Sequence, residues 1–248
     1  VGSEMCIRDR GLTVEEIDKL TGPVIGRPKS ATFRTVDVVG LDTLVHVANG
    51  LHENCKDDER RNVFQLPDFI STMMEKQWLG SKSGQGFYKK VKNEKGKSEI
   101  LTLDLNTLEY RSKKRAQFDT LEKTKTIDYL IERYPVLISG SDKATAFYRK
   151  NFGELFAYIQ HRIPEISDEI YRIDDAMKAG FGWTHGPFEL WDAVGLEIGI
   201  ELIKEAGHKP AEWVASMAKG SHQRFYGLEN GQQFFYDIPN KNLSLIHI

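Results

Sequence analysis

Gly26 to Leu41 reads GRPKSATFRTVDVVGL, and Gly182 to Leu196 reads GWTHGPFELWDAVGL. In each stretch the opening Gly is separated by ten or nine residues from Asp-x-Val-Gly-Leu. An Ile-Asp pair, Ile17-Asp18 or Ile173-Asp174, stands nine residues before that Gly. One insertion aside, the register holds, and self-similarity of this kind identifies a structural unit before any single residue is interpreted. The copies also end alike. GFYKKVKNEKGKSEILTL from Gly86 and RFYGLENGQQFFYD from Arg224 each give an extended run, a turn at Gly96 or Asn230-Gly231, and a second extended run. That is the pattern of a β-hairpin. Two unrelated helix-turn-helix stretches would share neither the Asp-x-Val-Gly-Leu motif nor the hairpin.

Composition agrees with two soluble units. In 248 residues, 40% are hydrophobic and 28% charged, and 34 basic groups against 36 acidic ones leave a net charge of −2. No basic block asks for nucleic acid or an anionic membrane, and no apolar run approaches the roughly 20 residues of a bilayer span. Cys6 and Cys55 have neither metal-type spacing nor the number for a disulfide framework, which fits a reducing, cytoplasmic setting. Residues 1–10 (VGSEMCIRDR) and 243–248 (LSLIHI) continue no neighbouring pattern. They are set aside as non-native ends of a truncated protein.

Between those ends the fold expected is mainly α: two repeated helical bundles, each closed by a short β-hairpin. The first spans residues 11–105 and the second 141–238, with a helix-containing linker at 106–140. Thr13-Val-Glu-Glu16 is a capping-box pattern for a helix stopped by Gly22-Pro23. A helix over Phe33–Val39 ends at Gly40, and Asp42 is expected to cap Thr43–Leu51. Pro67 suits the start of a helix to about Trp78. In the linker, Asp119–Arg133 is amphipathic and Tyr134-Pro135 should terminate it. Apolar residues from Ala144 to Ile159 recur at three- and four-residue intervals over about five turns. The first unit starts directly at Gly11 and has no counterpart of that long helix. Its remaining helices are therefore expected to expose an apolar face.

Candidate chemistry is sparse. His185 and Glu189, four residues apart, have acid–base spacing, but no nucleophile accompanies them and the first copy has Lys29 and Phe33 at the nearest positions. A turn histidine beside a carboxylate at a helix start explains them better. His46 and His52 point about 120° apart on a helix, and the other histidines form no cluster, so no metal site is expected. Gly80-Ser-Lys-Ser-Gly84-Gln-Gly86 lacks the Gly-Lys-Ser/Thr ending of a P-loop and the helix that must follow a dinucleotide fingerprint. It is expected to be a turn feeding the hairpin. Asp18, Asp37, Asp174 and Asp192 occur in both copies. Repetition assigns them a structural role.

These motifs carry a resemblance. The run IDDAMKAGFGWTHGPFELWDAVGLEIGIEL from Ile173 closely resembles the C-terminal helical domain of 3-hydroxyacyl-CoA dehydrogenases, and GRPKSATFRTVDVVGLDTLVHV with WLGSKSGQGFY resembles the same domain in long, multifunctional bacterial members. The similarity covers about Gly11 to Asp237. It implies a fragment of a fatty acid β-oxidation enzyme that oxidises an L-3-hydroxyacyl-CoA to the 3-oxoacyl-CoA with NAD. The catalytic His-Glu pair, a Ser and an Asn would lie in or just after a Rossmann domain preceding Gly11, so no catalytic, cofactor-binding or metal residue is placed on this chain. The units would form a wall of the acyl pocket and a dimer or interdomain scaffold, with that Rossmann domain as partner. The first copy departs from the pattern, with Ser30-Ala31-Thr32-Phe33-Arg34 in place of Gly-Pro-Phe-Glu-Leu. Arg27, Pro28 and Phe33 are the residues the resemblance places toward substrate. Alone, the chain is expected neither to bind NAD nor to turn over substrate. The competing expectation is a stand-alone helical scaffold or dimerisation module.

Overall fold

The structure, a computed structural model, describes residues 11–93 and 96–246. They form two compact units: one runs up to Val24 and resumes over Pro28–Gln117, and the other comprises Ile25–Arg27 and Phe118 onward. Among the described residues there are eleven α-helices and two three-stranded antiparallel sheets. No helix among them is long and apolar enough to cross a membrane.

The first unit opens with α1 (Val14–Leu20), whose Thr13–Glu16 capping box is present in full. Next come α2 (Phe33–Val39), α3 (Leu41–Asn54) and α4 (Asp68–Glu75). Helix α3 starts at Leu41, two residues earlier than the start expected at Thr43 behind an Asp42 cap. Gly40, at φ 111°, takes the capping position instead, which leaves Asp42 in the first turn to pair with Lys82 at 2.6 Å. Strands β1 (Tyr88–Lys92) and β2 (Ser98–Leu103) pair as the expected hairpin, and β3 (Tyr110–Ser112) adds a third strand against β2. The core gathers Ile17, Leu20, Phe33, Met73 and Phe87, with the Phe33 and Phe87 rings 4.5 Å apart.

The second unit holds α5 (Asp119–Thr124), α6 (Leu130–Ser139), α7 (Lys143–Ile159), α8 (Ile170–Phe181), α9 (Pro187–Val194), α10 (Leu196–Glu205) and α11 (Glu212–Lys219). Pro135 lies inside α6 rather than ending it. Its missing N–H and ring clash cost about 3 kcal/mol, but burial of Tyr134, Leu137 and Ile138 on the same helix outweighs that cost. Helix α7 starts at an Asp142 cap and lays Phe147, Tyr148, Phe152 and Phe156 into the core, with Phe156 stacked on Trp191 at 4.7 Å. Gly153 lets α7 approach α10 closely: a Cβ there would sit 2.3 Å from the Leu202 carbonyl oxygen.

The second sheet pairs β4 (Tyr226–Glu229) with β5 (Gln232–Asp237) through Asn230-Gly231. Both turn residues have positive φ, as a type I′ turn requires. Strand β6 (Asn242–Leu245) adds to β5, so Leu243–Leu245, set aside as foreign in sequence, pair as a strand. Segment 106–140 is shared out between the units, β3 going to the first sheet and α5–α6 to the second bundle. The repeat also explains a difference in exposure. Counting from Leu41 and Leu196, Val47 of α3 matches Leu202 of α10. Leu202, covered by α7, is 0% exposed, whereas Val47 is 50% exposed, and Val38 and Val39 are exposed beside it.

Candidate functional site

Each unit is held by two carboxylates at the repeated positions, one buried (Asp37 or Asp174) and one half-buried (Asp18 or Asp192). In the second, Asp174 of α8 accepts the N–H groups of Phe188 (2.8 Å) and Glu189 (2.9 Å) at the start of α9, and the Tyr226 hydroxyl at 2.8 Å. Asp192 of α9 accepts the N–H groups of Phe225 and Tyr226 at 2.7 and 2.9 Å, fixing the entry into β4. In the first, Asp18 of α1 accepts from Thr32, Phe33 and Arg34 (3.1, 2.6 and 3.1 Å) and from the Tyr88 hydroxyl (2.8 Å). Asp37 of α2 accepts from Phe87 and Tyr88, both at 2.8 Å. One carboxylate thus caps the next helix from a distance and the other holds the strand entry, and the tyrosine of the Phe-Tyr pair bonds both.

Burial pushes Asp37 and Asp192 up to about 6 and Asp174 up to about 7, against the lowering effect of their amide partners. Asp18 is raised for the same reason. Raised carboxylates often mark acid–base sites. Here both oxygens of each accept from amide or tyrosine donors of its own unit, so the shift reports a clamp. The glycine-rich stretch serves that clamp. A Cβ at Gly80 would lie 2.4 Å from the Asp37 carbonyl oxygen and one at Gly86 2.1 Å from Asp37 Oδ1. In the second unit Gly186 does the same for Asp174, whose Cβ would lie 2.2 Å away.

His185 and Glu189 share no hydrogen bond, each being taken by another partner. His185 Nδ1 lies 3.1 Å from the Tyr134 hydroxyl, and burial lowers the imidazole pKa. Glu189 Oε2 accepts the Gly186 N–H at 2.7 Å in a capping box, and its Oε1 pairs with Lys178 at 2.9 Å. Among the described residues no group of three His, Cys, Asp or Glu side chains could hold a metal.

The residues placed toward substrate fall in three environments. Phe33 is 1% exposed and belongs to the first core, while Pro28 is exposed. Arg27 packs within the second unit, its guanidinium carbon 4.0 Å from the centre of the Trp183 ring. Burial pushes the Arg27 pKa down to about 10, which leaves a cation at neutral pH. The adjoining backbone is locked as well: Thr184 N–H donates to the Gly26 carbonyl at 2.8 Å, and a Cβ on Gly26 would meet Leu130 Cδ2 at 2.4 Å. Trp183 was not singled out in the sequence, and Tyr134 was read only as part of a helix stop. A signal for Trp183 was available, because it follows Gly182 as Arg27 follows Gly26.

Comparison with known proteins adds a family to this geometry. The profile of "3-hydroxyacyl-CoA dehydrogenase, C-terminal domain" matches residues 4–90 and 155–235. A probable 3-hydroxyacyl-CoA dehydrogenase of Bacillus subtilis is 43% identical over 227 residues, 92% of this chain and 28% of the relative. One of Deinococcus radiodurans is 48% identical over 92 residues, covering 37% of this chain and 26% of the relative. A putative fatty acid oxidation complex trifunctional enzyme of Rickettsia felis is 27% identical over 192 residues, 77% and 25% of the two chains. The chain therefore spans between a quarter and a third of the length of these relatives.

Proposed function

The chain belongs to the 3-hydroxyacyl-CoA dehydrogenase family through its C-terminal domain, and from that premise we propose that it is the helical scaffold of an NAD-dependent L-3-hydroxyacyl-CoA dehydrogenase of fatty acid β-oxidation. In this reading it supplies a wall of the acyl pocket and the surface for interdomain or dimer contacts, while hydride transfer to NAD is carried by a Rossmann domain of the same polypeptide. The observation that carries it is the commitment of the repeated carboxylates to backbone amides, with Glu189 equally committed. The units are built to be rigid and keep no acid–base pair ready for reaction.

The described residues do not fit NAD. A dinucleotide site needs parallel strands joined by a helix with a glycine-rich turn, and both sheets of the described residues are antiparallel. We assign Pro28 to the substrate-facing side of the first unit and Arg27 to that of the second, while Phe33 is buried in the core of the first and supports that unit from within.

A chimera in which this chain replaces the matching segment of the Bacillus subtilis relative tests the reading. Assayed with acetoacetyl-CoA and NADH, the chimera is expected to be active and the 248-residue chain inactive. A folded, soluble chimera without activity, or turnover by the chain alone, would refute it.

A further inference from the structure

Arg27, which packs with the second unit, is a cation without a counter-ion. Its guanidinium carbon lies 4.0 Å from the centre of the Trp183 ring, and the group makes no hydrogen bond or ion pair with the described residues. Four other arginines of the unit show the contrast. Arg149 pairs with Glu205, Arg162 with Glu165 and Arg172 with Glu169, and Arg133 donates to the Ile127 carbonyl at 2.9 Å. Arg27 is also half-buried, and burial lowers its pKa to about 10; the groups acting against that shift are the Tyr134 and Tyr148 phenols, not a carboxylate. A cation taken from water and left without an anion is costly. The Trp183 ring offsets part of that cost, from one side of the guanidinium plane.

The guanidinium is presented by a fixed backbone. Gly26 has φ 68°, its carbonyl accepts the Thr184 N–H at 2.8 Å, and a Cβ on it would meet Leu130 Cδ2 at 2.4 Å. Nearby acceptors are already occupied. The Ile25 carbonyl faces the Tyr134 hydroxyl at 3.5 Å, and the two oxygens of Glu189 are taken by the Gly186 N–H and Lys178. Polar capacity is left over on Arg27 and on His185, whose Nδ1 lies 3.1 Å from the same Tyr134 hydroxyl and whose Nε2 has no partner among the described residues. Stacking on Trp183 covers a face of the guanidinium and leaves its N–H edge, which lies in the plane, for an acceptor.

We propose that Arg27, held over Trp183, is the receptor for a carboxylate. A carboxylate accepts two parallel N–H bonds in the guanidinium plane and so extends the stack. A tetrahedral phosphate puts two further oxygens out of that plane, one of them toward the electron-rich indole face. The coenzyme A part of an acyl-CoA carries phosphates and no carboxylate, so this ligand is distinct from the substrate of the reaction proposed above. Its source is a short-chain carboxylate from solution or an Asp or Glu side chain of the polypeptide outside the described residues. None of this depends on the dehydrogenase reading.

Fluorine NMR of the 248-residue chain labelled with fluorotryptophan, the Trp183 signal being assigned by its loss in Trp183→Phe, tests this. Sodium acetate exchanged for sodium chloride at constant ionic strength is expected to shift that signal saturably, with millimolar affinity. Arg27→Ala should abolish the shift, and Arg27→Lys, which keeps the charge without the fork, should bind at least about tenfold more weakly, both with unchanged circular dichroism. No saturable shift, an equal shift in Arg27→Ala, or tighter binding of inorganic phosphate than of acetate would overturn the receptor. The chimera with the Bacillus subtilis relative distinguishes the sources. A Trp183 signal already at the acetate-bound position, and insensitive to acetate, assigns the site to a carboxylate of the polypeptide. A signal that titrates as in the chain assigns it to a free carboxylate. A signal at the free position that ignores acetate would overturn the proposal for the whole enzyme, whatever the activity of the chimera.

Discussion

Asp174 offers the most quantitative test of the carboxylate clamp. It is 1% exposed and holds the Phe188 and Glu189 N–H groups and the Tyr226 hydroxyl. Replacing it by Ala leaves three donors without their partner at about 1–3 kcal/mol each. Even after relief of the buried charge, the loss should be about 3–6 kcal/mol, a large share of the roughly 5–15 kcal/mol that stabilises a domain. Asp174→Asn keeps one acceptor and no charge, so it separates hydrogen bonding from titration. The folded carboxyl is pushed up to about 7, above the ordinary unfolded value, because burial disfavours the anion. The native state therefore holds a proton between about pH 4 and 7 that the unfolded chain releases, and stability falls as pH rises through that window. The protonated oxygen can donate to the Tyr226 hydroxyl, which keeps the contact. From pH 5 to pH 8 the wild type should lose about 2–3 kcal/mol relative to Asp174→Asn. Urea unfolding followed by tryptophan fluorescence, in a Trp78→Phe background so that only Trp183, Trp191 and Trp213 of the second unit report, measures the difference at both pH values. A wild type that gains stability against Asp174→Asn as pH rises would refute the reasoning.

Two further outcomes follow from packing. Leu202→Ala empties a site closed by α7 and should cost about 2–5 kcal/mol, whereas Val47→Ala, at the matching place in the first unit, should stay within about 0.5 kcal/mol; equal losses in urea melts would show that Val47 is covered in solution. Arg27→Ala removes the cation over Trp183 and should cost about 1–2 kcal/mol with a shift in tryptophan emission, and Arg27→Lys, which lacks the planar group, should recover less than half of it. Unchanged emission and melting in Arg27→Ala would exclude the stack.

Much of the fold was legible because its signals are local. The Thr13–Glu16 box, the periodicity of Ala144 to Ile159 and the Asn230-Gly231 turn each name their structure through a few neighbouring residues. What was not legible depends on distant partners. Pro135 reads as a helix stop until Tyr134, Leu137 and Ile138 are seen buried on the same helix. Strand β3 is three residues in a basic stretch, and only its pairing with β2 makes it a strand. The Arg27–Trp183 contact joins residues 156 apart in the chain, and only their matching places in the two copies link them, which no local spacing rule does.

The repeat supplies what single residues could not. Asp37, Asp174 and Asp192 carry the raised pKa values that, met singly in an unfamiliar protein, would nominate an acid–base centre. Asp37 and Asp192 meet the same two amides in their own units, at the Phe-Tyr pair that enters a strand. Asp18 and Asp174 likewise meet the amides of the following helix and a tyrosine hydroxyl. A reacting pair would need an open lone pair and a substrate in each copy. A clamp needs only the same backbone geometry twice, and that is what is found. His185 follows the same logic from the other side: the first copy has Lys29 at the nearest position, yet the histidine is bonded to Tyr134 and held apart from the committed Glu189. The repeated motif is therefore a pair of clamps, each carboxylate committed to the backbone of its own unit.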